Sequence, residues 1–195
     1  MKFLQGKSLK PIVEGKIGNN QARMLVDSGA DYIVLTVPKY QPCKDINGKY
    51  IKDEFGRYKK EKKYLDAQYD KLIREEYGPF VKKADGSFVK VTIHGFGDTS
   101  VECRVITLKS FSIGDFEFTD NYVLLDEEGF ALNQDMIIGT ACLRNFVVSI
   151  DYSEKNIEFE QKTKELAVNY TGITSSDTNL INGSVLFPLD VYMLE

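Results

Sequence analysis

Hydrophobic and polar residues alternate in short runs along most of the chain, and turn-forming residues separate the runs. Residues 11–17 and 21–26 flank Gly18-Asn19-Asn20, which is a hairpin signal. Glycine-containing loops also separate the paired runs 87–93 and 100–109, and 111–113 and 116–118. Further short runs cover 32–37, 121–125, 136–138, 147–152 and 157–160. This many short strands predicts a mainly β fold, an antiparallel sandwich or barrel, and we find no internal repeat.

A different periodicity occupies residues 39–86. From Tyr58 onward, apolar residues recur there at helical spacing, from Leu65 to Tyr77, among many lysines, and Gly78-Pro79 ends the predicted helix. The segment holds 13 basic and 9 acidic residues, a net charge of +4, which leaves a net of −8 elsewhere. A basic amphipathic helix could bind nucleic acid or an acidic surface. The interleaved acids favour the other interpretation, a helix packed by its tyrosines onto the host domain, and we expect no nucleic-acid partner.

Composition limits the chemistry that the chain can carry. Its 195 residues include one histidine, His94, and three cysteines, Cys43, Cys103 and Cys142. These numbers exclude a disulfide scaffold, a four-cysteine zinc site and a His-rich metal site. No apolar run is long enough to span a membrane, and residues 1–6 lack the apolar core of a secretory signal. We therefore expect a cytoplasmic protein, without metal or cofactor, whose chemistry comes from carboxylates.

One carboxylate stands out because of the residues that flank it. Met24-Leu25-Val26 predicts an apolar strand that runs directly into Asp27, and Ser28, Gly29 and Ala30 follow. Such a strand delivers the carboxylate from the core to a turn, where the glycine permits close backbone approach. Asp-Ser-Gly is also a common turn tripeptide, so this string alone is compatible with a purely structural role.

A second string lies more than a hundred residues later in the chain. Met136-Ile137-Ile138 predicts an apolar strand that ends at Gly139, and residues 140–146 predict one or two helical turns. The chain then returns as a strand. By itself this string fits any strand-to-helix turn in a core, but the two strings in this order are far more specific than either one.

Together the two strings resemble the retropepsin-like aspartic proteases. Residues 25–31 are similar to that family's apolar-apolar-Asp-Thr/Ser-Gly-Ala signature, and Ile137-Ile138-Gly139 is similar to its second, apolar-apolar-Gly motif. His94-Gly95-Phe96-Gly97 lies between two predicted strands, where the family carries its glycine-rich flap. The resemblance covers residues 10–38 and 87–160, about half of the chain.

The resemblance also implies an architecture. Residues 1–160 are expected to form a closed antiparallel barrel of the retropepsin-like type, interrupted by the charged helical insertion at 39–86. Residues 161–195 are expected to be a C-terminal extension. That extension contains the hairpin signal Asn182-Gly183, and it is predicted to supply strands that join two subunits.

Roles for individual residues follow from the resemblance. Asp27 is the implied catalytic acid and base, which activates a water held between two carboxylates. The implied supports of the active-site loops are Ser28, Gly29, Ala30, Ile138 and Gly139. The implied flap and substrate-binding residues are Asp31, His94, Gly95, Phe96 and Gly97. No metal ligand is implied.

The number of catalytic motifs implies a homodimer. The chain holds one Asp-Ser-Gly motif, because Asp190 lacks the following Ser/Thr-Gly, and the chemistry needs two carboxylates. One Asp27 from each subunit would meet its copy across a twofold axis. Retroviral members often carry an arginine after the second-motif glycine that pairs with the acid after Ala. Thr140 stands there in this sequence, so Asp31 lacks that partner.

The sequence leaves two functions open. The first is an aspartic endopeptidase, a hydrolase that cleaves an extended peptide or protein substrate as a homodimer. The second is a catalytically inactive retropepsin-like module that binds peptides or regulates a partner. The intact Asp27-Ser28-Gly29 motif and the flap glycines favour the first, because a module without turnover would not need that set.

Overall fold

The computed structural model describes residues 1–5, 10–54, 56, 58–94, 100–129, 134–162, 179–181 and 184–186. These residues form a mainly β protein, as the sequence predicts. The strands are β1 (Leu4–Gln5), β2 (Pro11–Ile17), β3 (Asn20–Val26), β4 (Val34–Thr36), β5 (Tyr40–Pro42), β6 (Lys60–Lys62), β7 (Lys90–His94), β8 (Ser100–Ile113), β9 (Phe116–Asp126), β10 (Met136–Ile138), β11 (Phe146–Asp151), β12 (Asn156–Gln161), β13 (Asn179–Ile181) and β14 (Ser184–Leu186). The helices in this part of the chain are α1 (Asp66–Leu72), which continues as a π-helical turn over Ile73–Tyr77, and α2 (Thr140–Leu143).

Eight strands form one mixed sheet in the order β1-β2-β3-β10-β4-β9-β8-β7, and β2 also pairs with β8. Most neighbours are antiparallel, but β10 runs parallel to β3, and β4 runs parallel to β9. The expectation of a purely antiparallel sheet is therefore wrong at these two pairings. The reason is that β10 inserts between β3 and β4, although those two strands follow each other in sequence. Turn signals predict hairpins between sequence neighbours, and they carry no information about such a distant strand.

The local hairpins are confirmed, with one change of length. β2 and β3 pair from Ile12↔Leu25 to Ile17↔Asn20 around a two-residue turn, Gly18-Asn19. Because Asn20 joins β3, the turn is one residue shorter than the expected loop. Gly18 has a φ of 56°, which the first position of a type II′ turn requires. β8 and β9 pair around Gly114-Asp115, and each is longer than its apolar run indicates.

Both faces of the central strands are buried. Along β3, Met24 and Val26 belong to the larger core cluster, whereas Leu25 belongs to a second cluster on the opposite face. In β10, Ile138 belongs to the larger cluster and Ile137 to the second cluster. Burying each aliphatic side chain of this size contributes about 1.5–3 kcal/mol to stability. The strands that lead to Asp27 and Gly139 are therefore among the most firmly held parts of the fold.

Helix α1 and its π-helical continuation pack on the core, as one of the two sequence interpretations predicts. Tyr69 and Ile73 are fully buried, and the Tyr69 hydroxyl donates a hydrogen bond to the Val37 carbonyl at 2.5 Å. Burial raises the pKa of Tyr69 above its usual range, so the hydroxyl stays a donor. The helical segment ends at Gly78, as expected, but it begins at Asp66. No helix in the described part of the chain has the length and apolarity of a membrane span.

A buried arginine anchors α1 to the sheet. The Arg104 guanidinium on β8 donates to both carboxylate oxygens of Glu127, at 2.9 and 2.7 Å, and to Asp70 of α1 at 2.7 Å. Its central carbon lies 4.2 and 4.9 Å from the ring centroids of Phe80 and Phe88. The residue is only 8% exposed. A charge this deeply buried is tolerated because its donors are paired with carboxylates and its faces with aromatic rings.

A repeat that the sequence analysis missed covers much of residues 43–89. Seven-residue hairpins are bridged at their ends by Lys44↔Tyr50, Lys52↔Tyr58 and Lys82↔Phe88. In each, the lysine ammonium lies over the paired aromatic ring, 5.0, 5.2 and 5.7 Å from its centroid. Rings of three backbone hydrogen bonds close the bases of these hairpins, one joining residues 43, 51 and 59 and the other joining 81, 89 and 105. A lysine, a glycine and an aromatic residue recur at the same spacing in each hairpin. A pattern of only seven residues is too short to be recognised from the sequence alone.

The C-terminal extension is described in two short strands, β13 and β14, which pair antiparallel. The turn signal Asn182-Gly183 between them lies outside the described residues. The role of residues 161–195 in joining subunits stays a prediction.

Replacing Arg104 tests whether this cluster anchors the insertion. Arg104→Met should lower the free energy of unfolding by about 3 kcal/mol, because Asp70 and Glu127 would lose the guanidinium that they share in a poorly hydrated site, and Lys39 lies 4.0 Å from Glu127. The matched control is Lys90→Met, which removes the exposed pair between Lys90 and Glu102 and should cost less than about 1 kcal/mol. Urea unfolding followed by circular dichroism measures both losses. Equal losses in the two variants would contradict the anchoring role.

Candidate active site

Parallel pairing brings the two sequence strings together. β3 and β10 are in register at Leu25↔Ile137 and Val26↔Ile138, so both strands end at the same edge of the sheet. The Asp27 amide then donates to the Ile138 carbonyl at 3.1 Å. As a result, Asp27 and Gly139 lie side by side, although more than a hundred residues separate them in sequence.

The Asp27 carboxylate is held by its own turn. The Gly29 amide donates to Asp27 Oδ1 at 3.0 Å, and the Ala30 amide donates to the Asp27 carbonyl at 3.1 Å. The Asp27 side chain is 18% exposed, so it opens to solvent at one side. Ser28 lies exposed beside it. The predicted lock between loops through the Ser28 hydroxyl requires a second subunit and stays a prediction.

Gly139 closes the site from the other side. A Cβ at this position would lie 2.2 Å from the Tyr32 carbonyl oxygen and 2.4 Å from that of Ala30, so only glycine fits. The next amide, Thr140, donates to the Ala30 carbonyl at 2.8 Å, and Ala141 donates to the Asp31 carbonyl at 2.9 Å. Two backbone hydrogen bonds therefore join the start of α2 to the turn that follows Asp27.

Thr140 has a role that the sequence analysis did not find. Its one hydroxyl hydrogen is shared between the carbonyls of Ala30 and Asp31, each 3.3 Å from Oγ1. The arginine expected from retroviral relatives would pair with the Asp31 carboxylate, whereas Thr140 holds the backbone of the same loop. The sequence contains one signal for this role, a hydroxyl residue directly after an apolar-apolar-Gly string, since Ser and Thr side chains commonly form hydrogen bonds with nearby backbone groups.

Lys10 is the second residue that the sequence analysis missed. Its ammonium contacts Asp27 Oδ2 as an ion pair within hydrogen-bonding reach. The register of the β2–β3 hairpin explains the contact, because continuing it two positions beyond Ile12↔Leu25 sets Lys10 opposite Asp27. Both oxygens of the Asp27 carboxylate therefore have partners within the same chain.

The predicted flap is described only at its base. His94 is the last residue of β7, is exposed, and pairs with Ser100 on β8, so a hairpin forms where the sequence predicts one. Gly95, Phe96 and Gly97 lie outside the described residues. β7 is the final strand in the order of the sheet, next to β8.

The described residues give little support to metal-dependent or thiol-dependent chemistry. They contain no group of three or more His, Cys, Asp or Glu side chains that could hold a metal ion. Burial raises the pKa of Cys103 and Cys142 to about 12, so neither thiol ionises near neutrality and neither suits a nucleophile.

Comparison with known proteins finds similarity among solved structures. No family model and no curated protein matches the chain. Among solved structures it is similar to a retropepsin-like aspartic protease from Rickettsia conorii, with 16% sequence identity and a TM-score of 0.42. The similarity covers 77% of this chain and 83% of that one. We therefore infer the function from the geometry of the Asp27 site.

Substituting Gly139 tests how tightly the two loops are packed. Gly139→Ala should lower the free energy of unfolding by at least about 3 kcal/mol, because the new Cβ overlaps two backbone oxygens that cannot rotate away. Gly48→Ala is the control, since a Cβ there meets nothing within 4 Å and suffers only from the positive φ of 77°, at about 1 kcal/mol. Urea unfolding compares the variants. A loss at Gly139 no larger than at Gly48 would refute the packing argument.

Proposed function

We propose that this chain is one subunit of an aspartic endopeptidase of the retropepsin-like type, with Asp27 as the catalytic residue. The observation that supports the proposal is the junction of the two loops. Asp27 leaves an apolar strand, its carboxylate is oriented by Gly29, and its backbone is bonded to Ile138 directly before Gly139. The contact with the amide two residues on also occurs at the exposed turns of Asp45 and Asp85. What sets Asp27 apart from those turns is the junction with Gly139, where no side chain fits between the two loops.

The chemistry requires a second carboxylate. Peptide hydrolysis between two aspartates uses one ionised carboxyl as a base toward water and one protonated carboxyl as an acid toward the carbonyl oxygen. Two close carboxyls share a single proton because both cannot ionise together. The sequence carries one Asp-Ser-Gly motif, so the proposal includes a homodimer in which Asp27 meets Asp27 of the partner subunit across a twofold axis. Ser28 would then join the two active-site loops.

The proposed architecture is a closed barrel with an edge for substrate. The pairing of β2 with β8 supports closure, since it links strands from both halves of the sheet order. β7 ends that order, and an extended peptide substrate could add to such an edge by backbone hydrogen bonds. Residues 94–97 would form the flap over that peptide. Residues 39–86 would be an insertion in the barrel domain 1–160, and residues 161–195 would strengthen the dimer.

One observation favours the second candidate, an inactive module that binds peptides or regulates a partner. Lys10 neutralises the carboxylate that would carry out the chemistry. A chain in which this ion pair persists in every assembly state would keep the fold and lose the reaction. The two candidates therefore differ in whether Asp27 is needed for any turnover.

Substitution of Asp27 separates the candidates. Asp27→Asn should reduce cleavage of a peptide library by at least about a hundredfold, because the amide can act as neither acid nor base in the proton transfers. Asp115→Asn is the matched control, an exposed aspartate in the turn between β8 and β9, and it should retain most activity. Mass spectrometry detects the products between about pH 4 and 7. Equal cleavage by wild type and Asp27→Asn, or no cleavage by wild type, would overturn the proposed mechanism.

A further inference from the structure

Two consecutive hairpins, which we call the double hairpin (residues 43–59), lie on the outside of the domain. They continue the ribbon β5–β6, whose strands form a separate two-stranded sheet. The ring of backbone hydrogen bonds between residues 43, 51 and 59 joins both hairpins to that ribbon. No described residue from 41 to 68 is buried, so the double hairpin contributes nothing to the core. Its side chains face solvent and are available to a partner.

The corner of the first hairpin carries a fully exposed isoleucine. The Gly48 amide donates to the Asp45 carbonyl at 2.9 Å, which closes a turn with Ile46 and Asn47 at its corner. Ile46 is 100% exposed, and Tyr50 of the same hairpin is 49% exposed. Most residue types suit the corner of such a turn, and a side chain that stays in water gains nothing from the hydrophobic effect. The stability of the hairpin therefore does not explain an isoleucine at this position.

Lysines surround this apolar corner. The double hairpin holds five basic and three acidic residues, a net charge of +2, whereas the rest of the chain has a net charge of −6. One of the acids, Asp45, uses its carboxylate within the turn, where Oδ1 accepts the amides of Asn47 and Lys49, both at 2.9 Å. Within the described part of the chain, no carboxylate forms an ion pair with Lys44, Lys49 or Lys52. Their charges are therefore available to an anionic surface.

The arrangement of rings and charges favours a lipid surface over other anionic partners. The lysine ammonium groups lie over the rings of Tyr50 and Tyr58, 5.0 and 5.2 Å from the centroids, and the two rings contact each other edge to face. A nucleic-acid base would need a free ring face on which to stack. A protein partner would need a pocket for Ile46. A membrane interface needs neither, because it takes apolar side chains into the acyl boundary, tyrosines at the headgroups and lysines near the phosphates.

We propose that the double hairpin binds the surface of anionic phospholipid membranes, with Ile46 inserted at the acyl boundary and the neighbouring lysines beside the headgroup phosphates. Glu54 occupies the corresponding corner of the second hairpin, where Gly56 closes the same turn onto Asp53, so the first hairpin alone inserts. The inference goes beyond the proposed peptidase and does not depend on it, because no residue of the Asp27 site takes part.

A tryptophan placed at the corner tests insertion, since the chain contains no other tryptophan. Ile46→Trp should shift its fluorescence to shorter wavelengths when vesicles of equal parts phosphatidylcholine and phosphatidylserine are added, because the indole leaves water for the interface. Leu4→Trp, at a 51% exposed position on β1, is the matched control and should not shift. Neither variant should respond to vesicles of phosphatidylcholine alone. No shift in Ile46→Trp, or an equal shift with the neutral vesicles, would overturn the inference.

Sedimentation with the same vesicles measures the contribution of single residues to binding by the full chain. Lys49→Gln should weaken binding about fivefold, because each basic residue near an anionic surface contributes about that factor. Lys16→Gln, at an exposed position on β2, is the matched control and should bind as wild type does. Ile46→Ser should weaken binding at least about tenfold, because the apolar side chain is lost from the acyl boundary. Unchanged binding in Ile46→Ser, or an equal loss in the two lysine variants, would contradict the proposal.

The same variants identify the other possible occupants of this surface. A single-stranded oligonucleotide or polyglutamate that binds more tightly than the anionic vesicles at equal ionic strength, and is lost in Lys49→Gln, would replace the membrane by a nucleic acid or an acidic protein. Self-association that is lost in Ile46→Ser, without any vesicle binding by wild type, would assign the surface to a second copy of the chain. Either result would reject the membrane and leave the proposed peptidase untouched.

Discussion

The parallel pairing of β3 with β10 is the constraint on which the rest of the site depends. Two strands that run side by side in the same direction must end at the same edge, so the residues after them, Asp27 and Gly139, become neighbours. The absence of a side chain at Gly139 lets two carbonyl oxygens of the Asp27 loop approach closely. Three backbone amides, Asp27, Thr140 and Ala141, then bond across the junction. The position of the Asp27 carboxylate therefore depends on β10, a strand more than a hundred residues later in the chain.

A second constraint is local and acts through the register of one hairpin. The two-residue turn Gly18-Asn19 pairs β2 with β3 so that Lys10 lies opposite Asp27. A three-residue loop, as the sequence suggested, would move the register by one residue and set Ser28 opposite Lys10. Since a shift of one residue turns every side chain to the other face, the ion pair depends on this single turn. The same turn that builds the strand leading to Asp27 therefore also delivers its charge partner.

These two constraints explain how much could be predicted from the sequence. The strand before Asp27, the tight turns and the buried tyrosine of the insertion follow from alternation, glycine and helical spacing, which are local signals. The insertion of β10 between β3 and β4 could not be predicted from them, because it joins segments without a connecting turn. Lys10 was missed for a related reason, since its contact requires a register known to the exact residue. The Lys–aromatic hairpins were missed because seven residues are too few to distinguish a repeat from chance.

The insertion and the candidate site depend on opposite ends of the same strands. Asp27 follows the end of β3 beside Ile138, whereas the chain enters the insertion after Thr36, which is bonded to Asp135 before the start of β10. Thr36 also pairs with Asp126, next to the Glu127 that holds Arg104. β10 has three residues, about 10 Å of strand, and it separates the two regions. Residues 39–86 are therefore anchored away from the Asp27 loop, whose geometry is held by Gly139.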